Sequence, residues 1–250
     1  MMTILLLFFP LIAALAVLLG GSKLAAQLAL GLAVVELAIT GYAVSVFQAS
    51  GPEAFYVFHS WIESPKVSFH LGLDGLSLIM VLLTNFLTPI IILSAFNRNT
   101  PHAAGYFSLI LLMQFALVGV FTAMDGLLYY IFWELALIPI YFIALRWGGA
   151  NRVAITLKFF IYTLAGSLLM LFGFIMLYWY NPDQSFDIRE LYRIYISDGN
   201  QSWLFWMFFL AFAIKIPIVP FHTWQADTYR ESPTQGTMLL SGIMLKMGTY

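Results

Sequence analysis

AFAIKIPIVPFHTW, residues 211–224, sets Lys215 and two prolines, Pro217 and Pro220, inside an otherwise apolar run. A proline in a helix removes one backbone donor and clashes with the carbonyl four residues earlier. The pair therefore predicts a helix that breaks just after Lys215, freeing the carbonyls of Ala213 and Ile216. Counted from Ser202, Lys215 lies roughly 20 Å along the helix axis, deep for a lysine to snorkel out. A broken helix beside a buried charge is tolerated in a membrane where it lines a hydrated cavity, and such breaks mark transport sites.

The rest of the chain supplies the membrane. It is 62% hydrophobic and 9% charged, against roughly 25% charged for a soluble domain. Mean hydropathy is +0.90, and aromatic residues make up 17%, suited to interfacial belts. Eight apolar runs are long enough to cross the bilayer as helices: 2–20, 25–48, 72–96, 104–123, 126–146, 153–180, 202–223 and 232–250. Strand alternation of the barrel type is missing. The N-terminal run has no basic region before it and reads as a first span instead of a cleaved signal. The last run is still apolar at Tyr250, so the chain reads as the front part of a longer protein. A net charge of −1 gives no footing for nucleic acid, and the lack of cysteine excludes thiolate-held clusters and disulfides within this chain.

Lys and Arg are unequally shared between the two sets of loops. Lys23, Arg98, Arg146, Arg152 and Arg230 fall on one side; Lys66, Arg189 and Arg193 fall on the other, with most of the acids. The positive-inside rule places the first set in the cytoplasm and the N-terminus outside.

Five charged residues lie within spans: Glu36, Glu134, Lys158, Lys215 and Lys246. Each costs about 2.5–3.5 kcal/mol at the bilayer centre on insertion scales, so several together argue for a polar path. Glu134 in FWELALIP stands roughly 12 Å into its helix. Lys246 in MLLSGIMLKMGTY is equally embedded. Lysine suits a proton relay because its charge state responds to burial and to neighbouring charge. These three residues are the candidate relay: Glu134 is weighed against a structural ion pair, Lys215 against a simple proline kink with a snorkelling lysine, and Lys246 against a cation paired to a later helix. Lys158 is a possible relay residue, though snorkelling explains it nearly as well. His222 could connect a central path to water, or be an ordinary interfacial residue. Glu36 sits mid-span without a motif. Gly166 and Gly173 read as packing residues, and Asp74 as a helix cap.

The same segments carry a resemblance. GLDGLSLIMVLLTNFLTPIIILSA (72–95), FWELALIPIYFIALRWGG (132–149), KFFIYTLAGSLLML (158–171), residues 211–224 and SPTQGTMLLSGIMLKMGTY (232–250) resemble the antiporter-like subunits of respiratory complex I, most of all the M-type subunits of bacterial NADH–quinone oxidoreductase, equivalent to mitochondrial subunit 4. The resemblance implies an all-α polytopic fold of about fourteen helices built on two inverted five-helix repeats, each with one broken helix. On that pattern, residues 1–103 are lead helices and 104–250 the first repeat. It implies that Glu134, Lys215 and Lys246 are the proton-relay residues of a subunit that couples electron transfer from NADH to quinone with proton pumping. It further implies that FMN, iron–sulfur clusters and quinone belong to partner subunits. Neighbouring antiporter-like subunits and the lipid bilayer would surround this chain in a bacterial inner membrane. The sequence departs from the family after FHTW: QADTYRESPT keeps Asp227 but lacks the proline and histidine common there. A subunit of a multi-subunit sodium–proton exchanger would share the glutamate and the lysines, and a scaffold with ion pairs that never titrate is the further alternative.

Overall fold

The computed structural model describes residues 1–96 and 100–250. Among the described residues, six helical segments are long and apolar enough to span a membrane. They comprise α1 (Met2–Leu19), α2 (Ala25–Ser50), α3 (Gly75–Ser94), α4 (Ala103–Thr122), the joined pair α5 (Gly126–Leu135) and α6 (Leu137–Trp147), and α7 (Arg152–Tyr180). A single turn, α8 (Ile188–Leu191), leads into α9 (Asp198–Lys215). The chain then runs through turns to α10 (Gln225–Glu231), α11 (Thr234–Leu239), a π-helical stretch at Leu240–Met244 and α12 (Lys246–Thr249). The seventh and eighth apolar runs of the sequence are thus helical but interrupted.

Helix α4 is the centre of the bundle. Its residues are apolar on all sides, the pattern of a helix surrounded by others. Most of its side chains are buried, and it packs against α1, α2, α3, α5 and α6. Helix α7 lies along α9. Gly166 and Gly173 make that approach possible, since a Cβ at Gly173 would meet the Phe208 ring at 2.8 Å and one at Gly166 would meet Ile214 at 3.0 Å.

The loop between α2 and α3 holds a feature that the apolar periodicity did not signal. Strands β1 (Val57–Ile62) and β2 (Val67–Leu71) form an antiparallel hairpin with an irregularity between Ser60 and Ile62. The strands are short, and β1 is mostly exposed, so they carry little hydrophobic alternation. They are fastened at one end of the bundle by Asp125, which is fully buried. Its Oδ2 accepts from the Ser68 amide and hydroxyl, both at 2.9 Å. Its Oδ1 caps α5 by accepting from the amides of Leu127 and Leu128 at 3.0 and 3.2 Å. Beside it, His70 Nδ1 lies 2.7 Å from Asp187 Oδ2 and His70 Nε2 lies 2.8 Å from Arg189 Nη2. Asp74 caps α3 as expected, accepting from the Ser77 amide at 2.7 Å.

The opposite end is tied by other loops. Trp147 Nε1 donates to Pro101 O at 2.8 Å, and Glu231 accepts from the amides of Gly149 and Asn151. Ser22 reaches the Ala104 amide. Lys23, Arg146, Arg152 and Arg230 therefore flank one end, while Lys66 and Arg189 flank the hairpin end. Arg98, the remaining member of the first set, lies outside the described residues.

Candidate functional site

The break after α9 follows the prolines, but the backbone accounts for the Ala213 carbonyl differently from the sequence expectation. Ile216 N still donates to Phe212 O at 2.8 Å. Pro217 cannot donate to Ala213 O, yet that carbonyl is not free: Ile218 N reaches back five residues to it at 2.9 Å. Ile214 O, which would have received Ile218 N in a regular helix, is taken by the Trp224 indole at 3.0 Å. Pro217 itself has a φ of 31°, and Pro220 closes the turn. A compact, self-satisfied turn over residues 217–224 replaces the next helical turn and holds the helix end open at Lys215.

Lys215 is 2% exposed. Among the described residues its Nζ has no hydrogen-bond partner. It stands 5.1 Å from the centroid of the Trp133 ring, where the face of the indole attracts a cation. The neighbour of Trp133 is Glu134, whose carboxyl lies in the field of Lys215 and beside the Ser167 side chain of α7. Glu134 Oε1 is likewise buried without a hydrogen-bond partner among the described residues. The two charges sense each other without forming an ion pair within 4 Å, the pairs of that kind being elsewhere.

Glu134 also stands at a joint. The span 126–146 is divided at Ala136 into α5 and α6. Pro139 explains the division, because it cannot donate to Leu135 O and its ring crowds that carbonyl. Both members of the pair thus sit within one turn of a proline-induced interruption.

Lys246 arrives on a third irregular segment. Over Leu240–Met244 the helix widens, and Leu245 N donates to Leu240 O at 3.1 Å, five residues back. That shift leaves Ser241 O without its usual amide, and Lys246 Nζ donates to it instead. Such π-turns concentrate at functional sites. The segment then presses on the break itself: a Cβ at Gly248 would meet Ile216 Cγ1 at 2.8 Å and Lys215 Cβ at 3.3 Å. A cavity of about 610 Å³ reaches from Asp74, Arg189 and Tyr192 at the hairpin end inward to Phe212, Gly248 and Tyr250.

The remaining candidates separate from this centre. Lys158 Nζ donates to Asp227 Oδ2 at 3.1 Å and to Thr223 O at 3.0 Å, clamping α7 to the chain beyond the break. Both partners are about two-fifths exposed. His222 is exposed on the turn between Pro220 and α10. Glu36 is fully buried, accepts from Asn85 of α3, and is in no ion pair among the described residues. The sequence reading missed Trp133, Ser167, Pro139 and the π-turn as parts of the site. Pro139 was open to the same argument as Pro217, five residues beyond Glu134; the other contacts arise only from tertiary packing. Among the described residues no cluster of three His, Asp or Glu side chains is placed to hold a metal ion.

Comparison with known proteins matches residues 123–250 to the family described as NADH:quinone oxidoreductase/Mrp antiporter, TM. NADH-quinone oxidoreductase subunit M of Rickettsia typhi is 38% identical over 256 residues, covering 98% of this chain and 51% of that protein. Among solved structures, a chain of respiratory complex I from Thermus thermophilus superposes with a TM-score of 0.85 at 26% identity, over 99% of this chain and 54% of that one. A chain of the Mrp complex from Dietzia superposes with a TM-score of 0.86 at 17% identity, over 99% of this chain and 27% of that one, a likeness of fold alone. The chain spans about half the length of the relatives it matches.

Proposed function

As the chain belongs to the NADH:quinone oxidoreductase/Mrp antiporter transmembrane family, we propose that it is a proton-translocating part of the membrane arm of an NADH–quinone oxidoreductase. The single observation that carries this reading is the under-satisfied pair Glu134 and Lys215, a half-buried carboxyl with an enclosed Oε1 and a buried lysine, poised at two helix interruptions. In a low-dielectric interior a buried polar atom without a partner is costly, so one kept in a native fold calls for a functional reason. A proton delivered to Glu134 removes the charge that holds Lys215, Lys215 passes its own proton to the next acceptor in its neutral form, and transfer of the Glu134 proton to Lys215 then restores the starting pair. Lys246, on the segment packed against the break, is that next acceptor. The turn at 217–224 is the joint that lets Lys215 change partners.

On this reading residues 1–103 are lead helices, and 104–250 form the first repeat of the antiporter-like domain. Flavin, iron–sulfur clusters and quinone sit in partner subunits, and neighbouring antiporter-like subunits flank this chain in a bacterial inner membrane. The hairpin end faces outward, following the Lys and Arg distribution. A sodium–proton exchanger subunit is the rival reading, favoured by the likeness in fold to the Mrp chain. Purifying the native assembly through a tag on this chain separates them. Bound flavin with NADH-dependent quinone reduction is the expected result. A flavin-free assembly that exchanges sodium for protons would replace this reading with the rival.

A further inference from the structure

Glu36 is 0% exposed and lies in the middle of α2, away from the central pair. Among the described residues its hydrogen-bonded surroundings are polar but uncharged. Asn85 of α3 donates through Nδ2 to Glu36 Oε1 at 3.1 Å and to Thr40 Oγ1 at 2.7 Å. Thr40 in turn donates to the Glu36 carbonyl at 2.8 Å. Gln114 of α4 donates through Nε2 to Asn85 Oδ1 at 2.8 Å. The cluster links three helices, and Asn85 and Gln114 are also buried to within 1%.

Two observations bear on its charge state. First, the chain of hydrogen bonds runs out of donors. Among the described residues, the two buried polar atoms of the cluster that lack a partner are Glu36 Oε2 and Gln114 Oε1, and with Glu36 ionised both can only accept. The nearby hydroxyls cannot help, since Thr84 and Thr88 donate to carbonyls of their own helix. Secondly, among the described residues no cation is at hand. The elements packed on α2 are α1, α3, α4 and the turn at 52–55. Helices α1 and α3 contain no charged or titratable side chain, and α4 contains only Tyr106, whose hydroxyl is engaged by Gln235. The turn carries Glu53, an exposed acid. On α2 itself Tyr42 is exposed. Lys23, Asp74, His102 and the N-terminal amine stand at helix ends, and Lys23 is about 20 Å from Glu36 along the axis. An ionised carboxylate here would be a buried charge without a counter-charge, the arrangement proteins avoid by neutralising the group.

We propose that Glu36 is a second proton-binding site of this protein, a carboxylic acid held in its neutral form at neutral pH and positioned by Asn85, Thr40 and Gln114. The proton on Oε2 turns one surplus acceptor into the donor the cluster lacks, and Gln114 Oε1 remains as an acceptor in the same chain of side chains. The ligand is a proton, and the site needs no part of the Glu134–Lys215 exchange.

Infrared spectroscopy of the purified assembly containing the full chain tests this. The wild type should show a protonated-carboxyl C=O band at neutral pH that shifts in D2O and is lost in Glu36→Gln. Asn85→Leu removes the donor to Oε1, so it should move the same band to higher wavenumber without abolishing it. That variant carries the test if Glu36→Gln does not assemble. A wild type and Glu36→Gln with the same acid band, or an unmoved band in Asn85→Leu, would overturn the proposal. So would a Glu36 carboxylate band that responds to sodium, which would make the cluster a cation site.

Discussion

The hairpin end and the centre of the bundle treat buried polar groups in opposite ways. At the hairpin end, the Asp125 carboxyl accepts four hydrogen bonds, and the His70–Asp187–Arg189 chain is engaged at both imidazole nitrogens. At the centre, Lys215 Nζ and Glu134 Oε1 lack hydrogen-bond partners among the described residues, and the helices that carry them are interrupted. A saturated network has one low-energy arrangement and serves as a fixed seam. An unsaturated one has several arrangements close in energy, which is what a relay needs. Two lysines repeat the contrast. Lys158 is paired and half in solvent, whereas Lys215 is enclosed, with the face of Trp133 5.1 Å from its Nζ.

The largest effect that could break this comparison is functional. Glu134→Ala should lower proton translocation about 10²-fold, the scale of removing a proton-transfer group. The assembly should stay intact, and Glu134→Asp should retain part of the activity. Pumping by Glu134→Ala at the wild-type ratio of protons to electrons would make Glu134 another structural group like Asp125.

Next comes the seam. Asp125→Ala removes a helix cap and leaves the Ser68 amide and hydroxyl unpaired, and should cost about 3 kcal/mol of stability. Thermal unfolding of the purified assembly in detergent measures it. A change near zero would show that the hairpin end is no more rigid than the centre.

The pH dependence of that seam sharpens the picture. Burial works to raise the Asp187 carboxyl, but hydrogen bonds from His70 and the Arg189 amide, with the charges of His70 and Arg189, outweigh it and hold the carboxyl below its ordinary value. The resulting stability is complete above the unfolded-chain value and is lost as pH falls through the lower folded value. Asp125 has the opposite sign: burial pushes its carboxyl up against its hydrogen bonds, so stability from that group grows as pH falls from the raised value toward the unfolded one. Asp187→Asn should therefore flatten the acid decline of thermal stability, and an unchanged decline would assign it to other groups.

The smallest effect belongs to Lys158. A pair this exposed contributes roughly 0.2–1 kcal/mol. A double-mutant cycle with Lys158→Ala and Asp227→Ala should return a coupling in that range and leave the proton-to-electron ratio within twofold of wild type. A pumping loss as deep as that of Glu134→Ala would move Lys158 into the relay.

The contrast between the two regions was unevenly legible in the sequence. The spans and the break at Lys215 could be read because hydropathy and proline act locally along the chain. The joint at Glu134 was open to the same argument through Pro139. Trp133 under Lys215, the π-turn before Lys246 and the pairing of Lys158 with Asp227 depend on which helices meet, and no local pattern encodes that. The hairpin went unread for a related reason: its main fastening is Asp125, which lies 54 residues beyond the last residue of β2. Glu36 looked like an isolated charge until Asn85 and Gln114 came in from two other helices.

The central claim is that Lys215 gives up and regains a proton. Lys215→Arg tests it most directly, because arginine keeps the positive charge but does not release its proton. Proton uptake and NADH oxidation are to be measured together in sealed vesicles carrying the assembled complex. The account predicts an assembled variant that pumps markedly fewer protons per NADH than wild type. A variant that pumps at the wild-type ratio would show that Lys215 stays charged throughout, and would contradict the relay.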